Sequence, residues 1–244
     1  MIFVRHAAER YAGGDPAAGT ESLHAFSFGH FYDPDNLRFG AVLACNEERL
    51  APGAGFDEHP HSHTEIVTWV VEGELTHRDS AGHATLVGPG DVQRLSSAGG
   101  VRHVERNDGE RPLVFVQMWL APLEPGGEPA YEVVRGIADS TPYALPQAGA
   151  MLHVRRLKVG ERSAVPDARS LYVHVVRGGV RIDGGEGAAA GAGTELGPGD
   201  SARITDAAGL ELTATGPEPV GGDPTATGPG APSPAEVLLW EMSG

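Results

Sequence analysis

The chain has 244 residues, 40% of them hydrophobic and 6% aromatic, which suits one large all-β domain or two of about 120 residues and excludes a chain disordered throughout. A formal net charge of −15 without any Lys/Arg-rich run argues against direct nucleic-acid binding. No stretch approaches the roughly 20 apolar residues of a membrane span, and the opening MIFVRHAAERY lacks the basic-then-apolar order of a secretion signal, so a cytoplasmic protein with no membrane contact is expected.

In chain order, FGAVLAC is the first clear strand signal. It carries Cys45, the single cysteine, which excludes an internal disulfide or a cysteine zinc site and reads as a small buried apolar residue. The runs EIVTWVVEGELTHRD, HATLVGPGDV and PLVFVQMWL follow, separated by Gly, Pro, Asp and Asn as strands are. VTWVV and LVFVQMWL are apolar at consecutive positions, which suits strands covered on both faces. Proline and glycine then thicken between Trp119 and Met151, so a connector is expected there, dividing the chain into domains 1–135 and 136–244.

Beyond it, LYVHVVRGGVRI followed by LGPGD mirrors EIVTWVVEGELTH followed by VGPGD, with Gly-Pro-Gly-Asp at 88–91 and again at 197–200. That pattern predicts a repeated domain, each tetrapeptide forming a tight turn in which proline sets φ and glycine takes positive φ. Residues 213–236 contain TATGP twice and almost no large apolar residue, the composition of a flexible inserted loop. VLLWEM reads as a closing strand.

Chemistry concentrates in two places. His59, His61, His63 and Glu65 lie two residues apart, and a strand of period two would project all four on one face. His103 and Glu105, also two apart in GGVRHVERN, would point together from a later strand. A first-row divalent ion needs three or four imidazole or carboxylate ligands at about 2.0–2.2 Å, and two neighbouring strands with such pairs can supply three histidines and one carboxylate. His6, His77, His83, His153 and His174 read as ordinary surface or core histidines.

The spacing Gly53, His59, His61, Glu65 matches the first cupin motif, and Gly100, His103, Asn107 matches the end of the second. More narrowly, GFDEHPHSHTEIVTWVVEGELTHRDSAGH and GPGDVQRLSSAGGVRHVERN resemble the pirin family, in particular bacterial pirin-like quercetin 2,3-dioxygenases. The openings MIFVRHAAERY and HAFSFGHFYDPDNLRFG are similar to theirs too, and the likeness is detailed over about residues 1–120. It implies an all-β bicupin of two antiparallel, jelly-roll β-barrels, the second without metal. It also implies a metal held by His59, His61, His103 and Glu105. Glu65 would then stand behind the ligands, and His63, a departure from many pirins, would line the pocket or be structural.

By the same resemblance the activity is metal-dependent dioxygenation that opens the central ring of a flavonol such as quercetin. Small planar aromatic substrate and dioxygen would be the partners, and Glu105 the catalytic carboxylate, accepting the substrate hydroxyl proton. From the residues themselves, Phe28, Val67 and Trp69 read first as ordinary barrel core, with packing against a planar aromatic ring as the other reading. Iron is the family's preference, while copper, manganese, nickel, cobalt and zinc accept the same donors. The family's other role implies an alternative: a metal-binding regulator acting through a protein partner, a transcription factor or a metabolic enzyme.

Overall fold

The computed structural model describes residues 1–139, 141–184, 193–216 and 234–243. Among these residues the chain forms 21 β-strands and three single-turn 3-10 segments, with no α-helix. None of the described residues forms a helix long and apolar enough to cross a membrane.

After β1 (Ile2–Arg5) come the strands of the N-terminal half. They are β2 (Tyr11–Asp15), β3 (Thr20–His24), β4 (Val42–Leu50), β5 (Gly55–His61), β6 (Glu65–Glu72) and β7 (Leu75–Asp79). β8 (Ala84–Val87), β9 (Val92–Ser96), β10 (Val101–Arg106), β11 (Leu113–Leu120) and β12 (Ala130–Val134) follow. They make a seven-stranded sheet, β12-β9-β6-β11-β4-β3-β2, and a four-stranded sheet, β5-β10-β7-β8. Leu50, Val70, Leu113 and Phe115 from the first sheet pack with Phe56, Leu75 and Val87 from the second. Each fully buried side chain of this kind contributes roughly 1.5–3 kcal/mol, so this apolar floor joins the two sheets into a jelly roll. The sheets face each other as open layers instead of closing into one hydrogen-bonded cylinder.

The C-terminal half runs through β13 (Tyr143–Leu145), β14 (Ala150–Leu157), β15 (Arg162–Ala164), β16 (Ala168–Arg177) and β17 (Gly179–Gly184). It continues with β18 (Thr194–Leu196), β19 (Ser201–Ala207), β20 (Leu210–Thr215) and β21 (Ala235–Met242). A six-stranded sheet, β1-β19-β16-β21-β14-β13, faces a four-stranded one, β15-β20-β17-β18, over a core that includes Leu171, Val173, Val180, Leu212, Val237 and Leu239. The ends of the expected 213–236 loop are strand residues of β20 and β21; residues 217–233 lie outside the described residues.

The chain divides into two compact units, one of Glu9–Ala138 with Leu145–Ala150, the other of Met1–Ala8, Asp139–Ala144 and Met151–Gly244. The sequence-based division at 135/136 therefore differs from this partition at both ends. The first eight residues join the C-terminal half because β1 pairs antiparallel with β19, Ile2 opposite Ile204, and sets Ile2 and Val4 against that half's core.

The two Gly-Pro-Gly-Asp segments form the same turn. Gly88 N–H donates to Asp91 Oδ2 (3.1 Å) and Gly197 N–H to Asp200 Oδ2 (2.9 Å), with Gly90 at φ 86° and Gly199 at φ 80°. In each turn the other carboxylate oxygen anchors a remote segment: Asp91 Oδ1 accepts from Gly136 N–H at 3.0 Å, and Asp200 Oδ1 from Ala7 N–H at 2.7 Å. The repeat is thus structural as well as textual.

Candidate metal centre

β5 and β10 are neighbours in the four-stranded sheet, with His61 opposite Val101 and His59 opposite His103. A register shift between His103 and Glu105 then sets Glu105 opposite Phe56. The strands lie so close there that a Cβ on Gly55 would come within 2.5 Å of the Glu105 carbonyl oxygen, so only glycine fits. Alternation along each strand turns His59, His61, His103 and Glu105 inward.

One ring nitrogen from each of His59, His61 and His103 falls within a cluster 4.8 Å across. The Nε2 atoms of His59 and His103 are 3.0 Å apart, and Glu105 Oε2 lies 3.9 Å from His103 Nε2. His103 and Glu105 are each only 1% exposed, whereas His59 and His61 are half-buried, so the cluster opens on their side.

The protonation states suit a cation. His59 Nδ1–H donates to the Asp57 carbonyl oxygen at 2.7 Å, which leaves the Nε2 lone pair facing the cluster. Burial, reinforced by the neighbouring His103 and His59, lowers His61 to about 4. Burial, with His59 and His77 beside it, lowers His103 to about 3. Both rings are neutral near pH 7 and offer lone pairs. His61 Nε2 is buried with no hydrogen-bond partner, and two donors each about 2.1 Å from a common ion at a right angle stand about 3 Å apart. The donor set therefore fits a divalent ion.

The seven-stranded sheet supplies what stands behind these groups. Gln117 Nε2 donates to both Glu105 oxygens at 2.9 Å, and its Oε1 accepts from Trp119 Nε1–H at 3.0 Å. Trp119 meets the His61 ring edge-on with centroids 4.8 Å apart, and Phe28 meets Trp119 edge-on at 5.0 Å. Gln117 Nε2 also lies 3.4 Å from Thr68 Oγ1, which Gln93 reaches from the other side at 3.4 Å.

Other expected residues are placed differently. β5 ends at His61 and β6 starts at Glu65, because residues 62–64 carry the chain from one sheet to the other. His63 has left-handed backbone, φ 56°, and its side chain is exposed, so the inward row of four side chains stops after two. Glu65 is buried on the face of β6 opposite Thr68, where its carboxylate accepts from Ser96 Oγ–H at 2.6 Å. Val67 and Trp69 share that face and are fully buried, as core side chains are; of the three residues considered for the ring, Phe28 alone approaches the cluster, through Trp119.

Sequence reasoning missed His77 and Gln117. His77 is fully buried, and one of its ring nitrogens forms a second cluster with His103 and Glu105. Its Nε2 lies 3.2 Å from Asp79 Oδ2, and His83 Nδ1 lies 2.8 Å from the same oxygen. The signal was the alternation of His77 and Asp79 in THRD, on the strand that pairs with His103 and Glu105.

A jelly roll with inward imidazoles and a carboxylate at one end of its smaller sheet is the architecture of the cupin class. Residues 5–120 match the family model described as Pirin. A protein of Mycobacterium tuberculosis, named provisionally as a quercetin 2,3-dioxygenase, is 37% identical over 99% of this chain and 95% of its own length. A pirin-like protein of Caulobacter vibrioides is 32% identical over 83% of this chain and 90% of its own. Among solved structures, the bacterial pirin YhhW of Escherichia coli in complex with nickel(II) superposes with a TM-score of 0.81 at 28% identity, covering 100% of this chain and 99% of that one. The chain belongs to the pirin family.

Proposed function

We propose that the protein is a metal-dependent dioxygenase that opens the central ring of a flavonol such as quercetin, with His59, His61, His103 and Glu105 as the ligands of one divalent ion. The observation that carries the reading is the convergence of the His59, His61 and His103 imidazoles, with the Glu105 carboxylate 3.9 Å from His103 Nε2, at the open, aromatic-walled end of the N-terminal unit. The Escherichia coli relative named quercetin 2,3-dioxygenase, 39% identical over 54% of this chain and 57% of its own length, supports the substrate class. The nickel-bound relative supports a divalent ion, and iron is the ion proposed.

The bound ion would supply Lewis acidity, polarising the flavonol oxygens and bringing substrate and dioxygen together. The chain's own groups do the rest. Glu105 accepts the proton of the substrate hydroxyl, and the two hydrogen bonds from Gln117 keep both of its oxygens aimed for that transfer. Trp119 and Phe28 offer ring surface beside His61, where a planar substrate stacks and displaces water. His103, buried beneath, brings its Nε2 to 3.0 Å from that of His59.

Iron-loaded protein should consume quercetin in the presence of dioxygen, with loss of the near-ultraviolet absorption. Glu105→Gln and His61→Ala should abolish turnover while the circular dichroism stays that of a β-protein. Wild-type rates in both variants would refute the mechanism.

A further inference from the structure

Strand order puts β10 between β5 and β7 in the four-stranded sheet. His103 and Glu105 therefore have an inward neighbour on each side: His59 stands opposite His103 on β5, and His77 stands opposite Glu105 on β7. One ring nitrogen of His77 and one ligand atom from each of His103 and Glu105 all lie within 4.8 Å of one another. None of these three residues is more than 1% exposed, whereas His59 and His61 are half-buried.

His77 is set up as a ligand. Its Nε2 lies 3.2 Å from Asp79 Oδ2, and Asp79 Oδ1 accepts from the backbone N–H groups of Ala81 and His83 at 3.0 Å each. Asp79 acts as an acceptor, so His77 carries its proton on Nε2 and its lone pair on Nδ1. That Nδ1 is buried with no hydrogen-bond partner, and a buried polar atom in that state calls for one. A carboxylate behind one ring nitrogen, with the other left bare, is the arrangement that orients metal-binding histidines. Tyr131 lies flat on the ring, with centroids 4.4 Å and planes 14° apart, and its hydroxyl donates to Gln93 Oε1 at 3.1 Å. The plane of the His77 ring is therefore fixed before any ion arrives.

We infer that His77, His103 and Glu105 form an inner seat for the divalent ion, alternative to an outer seat at His59 and His61, with His103 and Glu105 common to both. The inference rests on the metal reading of the site and not on its substrate. His103 Nε2 faces both ways, 3.0 Å from His59 Nε2 and 3.9 Å from Glu105 Oε2. One ring nitrogen has one lone pair, so a single ion occupies one seat or the other. Passing inward exchanges His59 and His61 for His77. An ion in the inner seat has only buried ligands and is withdrawn from substrate, so the balance between the seats sets the fraction of protein able to react.

The test removes the outer donors and asks whether an ion still binds. Full-length protein carrying His59→Ala and His61→Ala, titrated calorimetrically with cobalt(II), should bind one ion per chain. Anomalous scattering from its cobalt-soaked crystals should place that ion about 2.0–2.2 Å from a His77 nitrogen. Adding His77→Phe, which keeps a ring against Tyr131, should weaken binding at least about tenfold, as losing even an outer-shell partner does. His77→Phe alone should still bind one ion, at His59 and His61. If the double variant shows no cooperative melt, cobalt-soaked wild-type crystals decide: anomalous density beside His77 supports the inner seat, and a single peak at His59 and His61 overturns it. No binding by a folded double variant, or an ion bound away from His77, likewise overturns the inner seat and leaves the metal centre standing. Failure of wild type to bind cobalt overturns both.

Discussion

Replacing Gln117 with Met removes the two 2.9 Å hydrogen bonds to Glu105 and the 3.0 Å acceptor of Trp119 while keeping the volume of the side chain. Hydrogen bonds to a charged group are worth about 1.5–3 kcal/mol, and a buried carboxylate left without donors adds its own desolvation cost. Glu105 is only 1% exposed, so metal-free protein should lose about 2–4 kcal/mol of stability. Metal-loaded protein should lose less, because a bound cation satisfies the same carboxylate. A thermodynamic cycle then requires the variant to bind metal more tightly than wild type, by the difference between the two losses. Urea unfolding of both proteins with and without metal, alongside calorimetric metal titration, measures every leg. An equal loss in the two states would show that the Glu105 carboxylate does not exchange a Gln117 partner for a metal partner, and would refute the reasoning.

Acid should destabilise the metal-free protein. His61 and His103 are held at about 4 and about 3, below the usual value near 6.5, so between pH 6.5 and those values the unfolded chain binds more protons and folding weakens as pH falls; a flat unfolding free energy from pH 7 to 5 would contradict this. Glu48 is shifted the other way, to about 8, so its stabilising neutral form is lost as pH rises through 8. Glu48→Gln should therefore gain on wild type by up to about 1.4 kcal/mol per pH unit of the window between the two pKa values, seen as a higher melting temperature at pH 9 and little change at pH 5. Phe28→Ala should raise KM for quercetin several-fold with kcat nearly unchanged, since the ring touches Trp119 and not the ligand cluster; a fall in kcat alone would speak against a binding wall. Asp91→Ala should lower the unfolding free energy by about 1–3 kcal/mol, because the turn and residues 135–136 both hang on that carboxylate, and a neutral change would show the turn to be self-sufficient.

How much of this was legible depended on whether a feature is local. His59 and His61 on one strand, and His103 and Glu105 on another, are pairs two residues apart, and a strand turns such pairs to one face regardless of what surrounds it. The Gly-Pro-Gly-Asp turns are equally local, each closed by its own aspartate. The extension of the inward row to His63 and Glu65 failed because parity survives only while a strand continues. Three residues of crossover reset it, and Glu65 begins β6 on the outer face with Ser96. Val67 and Trp69 stood between core and ring wall in the sequence for a related reason: VTWVV is buried on both faces, so hydrophobicity does not reveal which side is inward.

The groups hidden in the sequence are those whose meaning is set by register. Gln117 stands amid LVFVQMWL as one polar residue in an apolar strand, and Asn46 and Thr68 are as inconspicuous in theirs. Pairing between strands aligns them with His24 and Gln93 and sets Gln117 against Glu105, which comes from the other sheet. The candidate ligands thus belong to the smaller sheet and the groups that orient Glu105 and wall His61 to the larger one. The separation of the two layers fixes the distance between Glu105 and its donor, so a change that spreads them weakens the carboxylate's positioning before it disturbs the spacing of His59 and His103 along paired strands. Substitutions in the apolar floor, such as Phe115→Ala, should on this argument impair turnover more than they impair metal binding.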